Sequence, residues 1–164
     1  LEEDLKVRLL DVYELEKNRR ILESRTNYNY EHIKYVAARI KSASVMPHER
    51  LTHKFKLNES ILFCESKWNW SLLTPDKHIE NFKTAPTEIT NASWLLADKV
   101  VEMIVSDFSY AVMACFSEEN TYSNTVKEII ESFDGLSAEQ AKGVEQKISE
   151  QVEELLECGI LIIQ

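Results

Sequence analysis

The sequence predicts a mainly helical α+β fold with a small antiparallel sheet at its centre. Three observations lead there. Glycine and proline number only three each in 164 residues, which suits long helices better than a loop-rich β fold. Apolar residues recur at helical spacing on either side of residues 51–74, where short apolar bursts alternate with polar positions instead. Residues 125–164 hold two helix-capping signals, each followed by a glycine at a natural stop.

Segment 1–24 reads as a helix, because Leu5, Leu9, Val12, Leu15 and Leu22 recur at intervals of three, four and seven with charges between them. Arg19 interrupts the stripe, so this helix is expected to pack on its own domain rather than sustain a coiled coil. A turn-rich loop, Arg25 to Asn29, leads into a second helix over about 30–42 with Tyr30, Ile33, Val36, Ala37 and Ile40 on one side. Residues 1–50 are thus expected to form a helical hairpin, a dimerisation or docking unit. Residues 51–164 form a sheet and helical region, read as a second unit or as continuous with the first.

Alternation in Phe55/Leu57 and Trp68/Trp70 predicts two or three antiparallel strands over 51–74. Pro75 and Pro86 mark a polar connection. Thr90 or Asn91 is then read as the cap of a helix of about 25 residues, with Trp94, Leu95, Val101, Ile104, Val105, Phe108, Val112 and Cys115 on its buried side and a break near Ser106–Ser109. Asp98, Glu102 and Asp107 punctuate it too often for a membrane span.

Thr125 to Glu128 has capping-box spacing, Val126, Ile129, Ile130 and Phe133 supply a face, and Gly135 follows the end. Ser137 to Gln140 opens the last helix, which carries Val144, Ile148, Val152 and Leu155 and stops at Gly159. Ile160 to Ile163 reads as a buried terminal strand. A long helix, then helix, loop, helix, glycine and strand, resembles the element order of winged-helix domains over roughly 90–164. The resemblance implies a winged-helix-like C-terminal half.

Charge divides the chain more sharply than its net value of -9 suggests. Residues 1–50 hold ten Lys/Arg against nine Asp/Glu, residues 51–100 six against six, and residues 101–164 three against thirteen. The last third therefore repels polyanions and anionic membranes and suits a basic partner.

Chemistry finds little footing. His48 and His53 stand five apart, which matches no zinc loop and no pair of ligands on one helix face, and His32 and His78 are isolated. The glycines, at 135, 143 and 159, form no phosphate-cradling turn, and no G-x-S-x-G elbow is present. Neighbouring carboxylates such as Glu118/Glu119 and Glu153/Glu154 diverge around a helix. The expectation is no enzyme, no cofactor and no metal. Cys64, Cys115 and Cys158, widely spaced in apolar company, read as free buried thiols in a reducing, cytoplasmic compartment.

The expected role is a non-enzymatic protein-binding or regulatory module that contacts a basic protein, spans no membrane and pairs through residues 1–50 with a copy of itself or with a neighbouring domain. Its contact residues are expected to be Tyr28, Tyr30 and Tyr35, the aromatics Trp68 and Trp70, and the glutamates Glu150, Glu153, Glu154 and Glu157. The alternative is a regulatory nucleic-acid-binding domain that uses the basic cluster Lys17, Arg19, Arg20 and Arg25.

Overall fold

In the computed structural model, which describes residues 2–26, 53–73, 78, 79, 82, 85–96 and 99–164, the chain starts as a single helix, α1 (Glu2–Thr26). Of the expected hairpin, only this first arm falls within the described residues; the segment 30–42 and Tyr28, Tyr30 and Tyr35 lie outside them. Two strands follow, β1 (Lys54–Leu57) and β2 (Leu62–Ser66), then a single 3-10 turn at Trp70–Leu72. Next come β3 (Ile89–Leu96), β4 (Lys99–Val105) and α2 (Asp107–Ala114). The chain closes with β5 (Asn120–Thr121), α3 (Tyr122–Glu131), α4 (Ala138–Glu157) and β6 (Leu161–Ile163).

The strands form two antiparallel three-stranded sheets, β5-β1-β6 and β2-β3-β4. Among the described residues, four helices and these two small sheets make an α+β fold.

The β2-β3-β4 sheet has both faces covered. Successive side chains of a strand point to opposite sides, and β3 uses both: Ala92 and Trp94 enter the main core with Val112, Met113, Ile148 and Leu155, while Leu95 meets Leu22 of α1 together with Leu62 and Val100. The layers are therefore α1, sheet, and the helices with the second sheet. In that second sheet Phe55 is fully buried and meets Phe116 edge-on, with ring centroids 6.0 Å apart.

Here lies the main correction to the sequence reading. The long helix expected from Thr90 is a β-hairpin in which Trp94 faces Val101 and Asn91 faces Ile104, followed by an eight-residue helix. Only the break near Ser106–Ser109 survives, as the point where α2 begins with Ser106 as its N-cap. A strand with two buried faces loses the polar alternation that marks a half-exposed one, so its apolar run imitates a buried helix.

Three smaller corrections share that character. Trp68 and Trp70 do not share a strand, because β2 ends at Ser66 and Trp70 opens the 3-10 turn. Helix α3 begins four residues earlier than its expected capping box. Its N-cap is Thr121, whose hydroxyl accepts from Asn124 N, while Thr125 is fully buried inside the helix. On α1 the packing stripe runs through Arg8, Asp11, Leu15, Asn18 and Leu22, leaving Leu9, counted on the expected stripe, half exposed.

The tail matches its reading. Ser137 and Gln140 form a reciprocal capping box, each accepting from the other's backbone N–H. At the far end Gly159 adopts φ 70°, Gly159 N donates to Leu156 O and Ile160 N to Leu155 O, the paired bonds of a Schellman stop. That reversal delivers Ile160 and the strand β6 that follows it into the core, where Ile160, Leu161, Ile162 and Ile163 are all buried.

Candidate binding surface

A cavity of about 830 Å³ opens at one end of the β2-β3-β4 sheet, where the end of β2, the start of β3 and the start of α2 meet α1. Its charged lining is Asp11, Glu65, Glu88 and Asp107 against Lys67 alone. Four carboxylates to one ammonium give it a negative potential, which low-dielectric walls intensify. Ile89, Ile104 and Val105 supply apolar surface within it.

The acidic character continues onto α4. Ser109 Oγ, two residues past Asp107, donates to Gln151 Oε1 at 2.7 Å, and Gln151 in turn donates to Glu154 at 3.1 Å. The α4 residues Glu150, Glu153, Glu154 and Glu157 are all exposed. The buried stripe of that helix, Ile148, Val152, Leu155 and Leu156, turns them outward. The structure thus places these four glutamates, expected from sequence, exposed on one helix, and Gln151 links one of them, Glu154, to Ser109 of α2, whose first residue Asp107 lines the cavity; sequence reasoning did not connect the cavity's own carboxylates. Those carboxylates come from four segments far apart in the chain, and no local pattern links them.

Asp11 also holds the layers together. Its Oδ2 accepts from Ser66 Oγ at 2.6 Å and from Trp70 Nε1 at 2.7 Å, and its carboxylate takes Lys67 N at 3.1 Å. Trp70 stacks on buried Phe82 at 4.8 Å and lies 5.7 Å from Trp68. Arg8 sits over the Trp68 ring at 5.7 Å and donates to the Phe82 carbonyl. Trp68, at 4% exposure, and half-buried Trp70 accordingly anchor α1. Phe82, in the connection between Pro75 and Pro86, completes the cluster.

The basic cluster of α1 is interleaved with acids. Lys17 pairs with Glu14 at 3.0 Å, Arg20 with Glu16 at 3.1 Å and Arg19 with Glu23 at 3.7 Å, each one turn away. The hydrogen bond to Glu14, with its charge, raises the Lys17 ammonium above its ordinary pKa. Arg25 is half-buried at the last turn of the helix.

Among the described residues, no group of three or more His, Cys, Asp or Glu is placed to hold a metal ion, and no helix is long and apolar enough to cross a membrane. None of the three cysteines is in a disulfide, and all are half-buried. Burial pushes the Cys64 thiol up, with Asp11 and Glu14 adding to it, and burial followed by Glu128 does the same to Cys115. Thiols so placed hold their protons and are poor nucleophiles. No protein-family model and no curated protein matches the chain.

Proposed function

We propose that this chain is a non-enzymatic binding or regulatory module that receives a basic segment of a partner protein on its acidic surface. The observation that carries the reading is the cavity with Asp11, Glu65, Glu88 and Asp107 around a single lysine, continued through Ser109 and Gln151 to the exposed glutamates of α4. A partner rich in Lys or Arg is drawn to such a surface from a distance, and the apolar wall of Ile89, Ile104 and Val105 rewards close contact. The winged-helix-like reading of roughly 90–164 loses its leading long helix, since 89–96 and 99–105 are paired strands; what we propose as winged-helix-like is the helix, strand, helix, helix and strand of residues 107–164, with β1 as the middle strand of the sheet.

Nucleic-acid binding through Lys17, Arg19, Arg20 and Arg25 has less support, because three of these cations already face acids of their own helix. Helix α4, the groove-entering helix on a winged-helix reading, presents Glu139, Glu145, Glu150, Glu153, Glu154 and Glu157 against Lys142 and Lys147. Pairing between copies through residues 1–50 is a further part of the proposal, resting on Leu10 and Tyr13, which α1 leaves exposed.

The test is capture from an extract of the source cells after nuclease treatment. The intact protein is compared with a variant carrying Glu65→Lys, Glu88→Lys and Asp107→Lys. A stoichiometric basic protein, lost on charge reversal and released by salt, is the expected result. Nucleic acid retained without nuclease, and lost on neutralising Lys17, Arg19, Arg20 and Arg25, overturns the reading.

A further inference from the structure

The two edges of the β2-β3-β4 sheet are finished differently, and two hydrogen bonds show which backbone groups face outward. Leu95 N donates to Ser60 Oγ at 2.9 Å and Leu95 O accepts from Asn58 Nδ2 at 3.3 Å. Both partners lie just ahead of β2, where its register with β3 extends to Leu95. In an antiparallel strand the N–H and C=O of one residue point to the same side, and successive residues alternate. Leu95 therefore turns away from Val100, its opposite in β4. It follows that Lys99, Val101, Met103 and Val105 bond to β3, while Val100, Glu102 and Ile104 direct their N–H and C=O away from the sheet. On β2 the same alternation turns Phe63 outward, and there Phe63 O accepts from Asn18 Nδ2 of α1 at 3.5 Å.

The β4 edge has no such cover: among the described residues, no hydrogen bond engages the outward backbone of Val100, Glu102 or Ile104. The strand pairs with β3 one to one over seven residues, without a bulge or a proline. An edge of that length and regularity is a template for another strand. Its two sides differ in character. Glu102 and Ile104 are exposed on the side that α1 packs against, and half-buried Val101 and Met103 lie on the other. At its end the strand runs into the acidic cavity, which Ile104, Val105, Ser106 and Asp107 line in succession.

We propose that the basic segment of the partner binds in extended form, as an antiparallel fourth strand on β4; the inference rests on the binding-module reading. The outward N–H and C=O groups of Val100, Glu102 and Ile104 supply main-chain hydrogen bonds, and alternate side chains supply selectivity. Residues opposite these three share the side of Glu102, while those between them lie beside apolar Val101 and Met103. An antiparallel strand enters from the cavity with its N-terminal end first, where Glu65, Glu88 and Asp107 outnumber Lys67. The segment that fits is therefore an alternation of basic and apolar residues. A second copy of the chain fits less well, because it carries the same net charge of -9 and brings its own acidic cavity and Glu102 to the edge.

The experiment is amide hydrogen exchange, read residue by residue by NMR, on the intact protein with a blocked peptide of alternating lysine and valine as long as β4. Saturating peptide should slow exchange at Val100, Glu102 and Ile104 at least about tenfold and leave Val101 and Met103, already bonded to β3, little changed. N-methylation of the lysine residues, whose N–H groups face β4 in this register, should weaken binding at least about tenfold, and N-methylation of the valines by less than about threefold. Glu102→Pro removes the middle outward N–H without touching a bond to β3. It should bind the peptide at least about tenfold more weakly than Glu102→Ala, which keeps that N–H. The methylated peptides test the same bonds in the unaltered protein if the proline variant does not fold. Absent or uniform protection along β4, or equal loss from the two methylated peptides, overturns strand addition. Protection that grows with protein concentration and needs no peptide assigns the edge to a second copy and overturns it too. A protein that ignores the peptide but still captures a basic partner, and loses it on charge reversal of the cavity, loses strand addition alone. If β4 takes the peptide while no basic protein is captured, the module reading falls instead.

Discussion

Asn58 and Gly159 stand 101 positions apart in sequence, and the Asn58 amide Nδ2 donates to the Gly159 carbonyl at 3.0 Å. The same nitrogen lies 3.3 Å from Leu95 O, while Asn58 Oδ1 accepts from Ser60 N and Ser60 Oγ. Ser60 Oγ then accepts from Leu95 N at 2.9 Å. One buried side chain thereby ties the β1–β2 turn, the end of β3 and the Gly159 stop into a single network. Removing it takes a partner from two carbonyls, a backbone N–H and a hydroxyl in the interior.

Asn58→Ala should therefore lower stability by about 2–3 kcal/mol, the cost of unpaired buried polar groups. Urea unfolding measures it, and a loss below about 0.5 kcal/mol would show that water replaces the amide. Asn58→Asp should be worse at neutral pH, since its carboxylate would face two carbonyl oxygens.

The glycines separate two effects that are often confused. Gly135 has φ 74° and Gly143 lies within α4, and a Cβ added at either meets nothing within 4 Å. Gly135→Ala should cost about 1 kcal/mol through its left-handed backbone alone. Gly143→Ala should add about 0.5–1 kcal/mol of stability as a helix former replaces glycine. Thermal denaturation of the pair should move in opposite directions, and a shared sign would refute the backbone assignment.

Asp11→Ala removes the acceptor for Ser66, Lys67 and Trp70 at once. The variant should loosen α1 from the sheet by about 1–3 kcal/mol. The readouts are hydrogen exchange along α1 and the emission of Trp70. Exchange along α1 no faster than in the unaltered protein would show that the Leu22 and Arg8 contacts secure the helix without Asp11.

Cys64 and Cys115 have thiols raised mainly by burial. They should react with iodoacetamide more slowly than a free thiol at pH 8 and catch up only after unfolding. The unfolded thiols ionise first as pH rises, so their contribution to stability is fully present below the ordinary thiol pKa and is lost as pH climbs through the raised folded values. A stability curve flat through that alkaline range, for the protein and for a Cys64→Ala, Cys115→Ala variant alike, would contradict the assignment.

How much was legible follows from where the signals reside. The cap at Ser137, the stop at Gly159 and the strand after it are written in short runs of residues, because capping and left-handed turns are local chemistry. The alternation of Phe55 and Leu57 is also local, and it marks β1 correctly. Trp94 and Leu95 are adjacent in sequence yet enter different cores. Nothing nearby announces that the helix on the far side of Leu95 comes from residue 22.

By itself the sequence determined the α+β class, the first and last helices, the acidic final third and the outward glutamates of α4, since composition, caps and periodicity act over a few residues. Only the tertiary structure decided that residues 89–105 form a hairpin, that Asp11 locks Trp70 and Ser66, and that four scattered carboxylates share one cavity. These depend on which surfaces cover a strand and which segments meet across the core. Burial and long-range pairing set both, and no short window of residues records them.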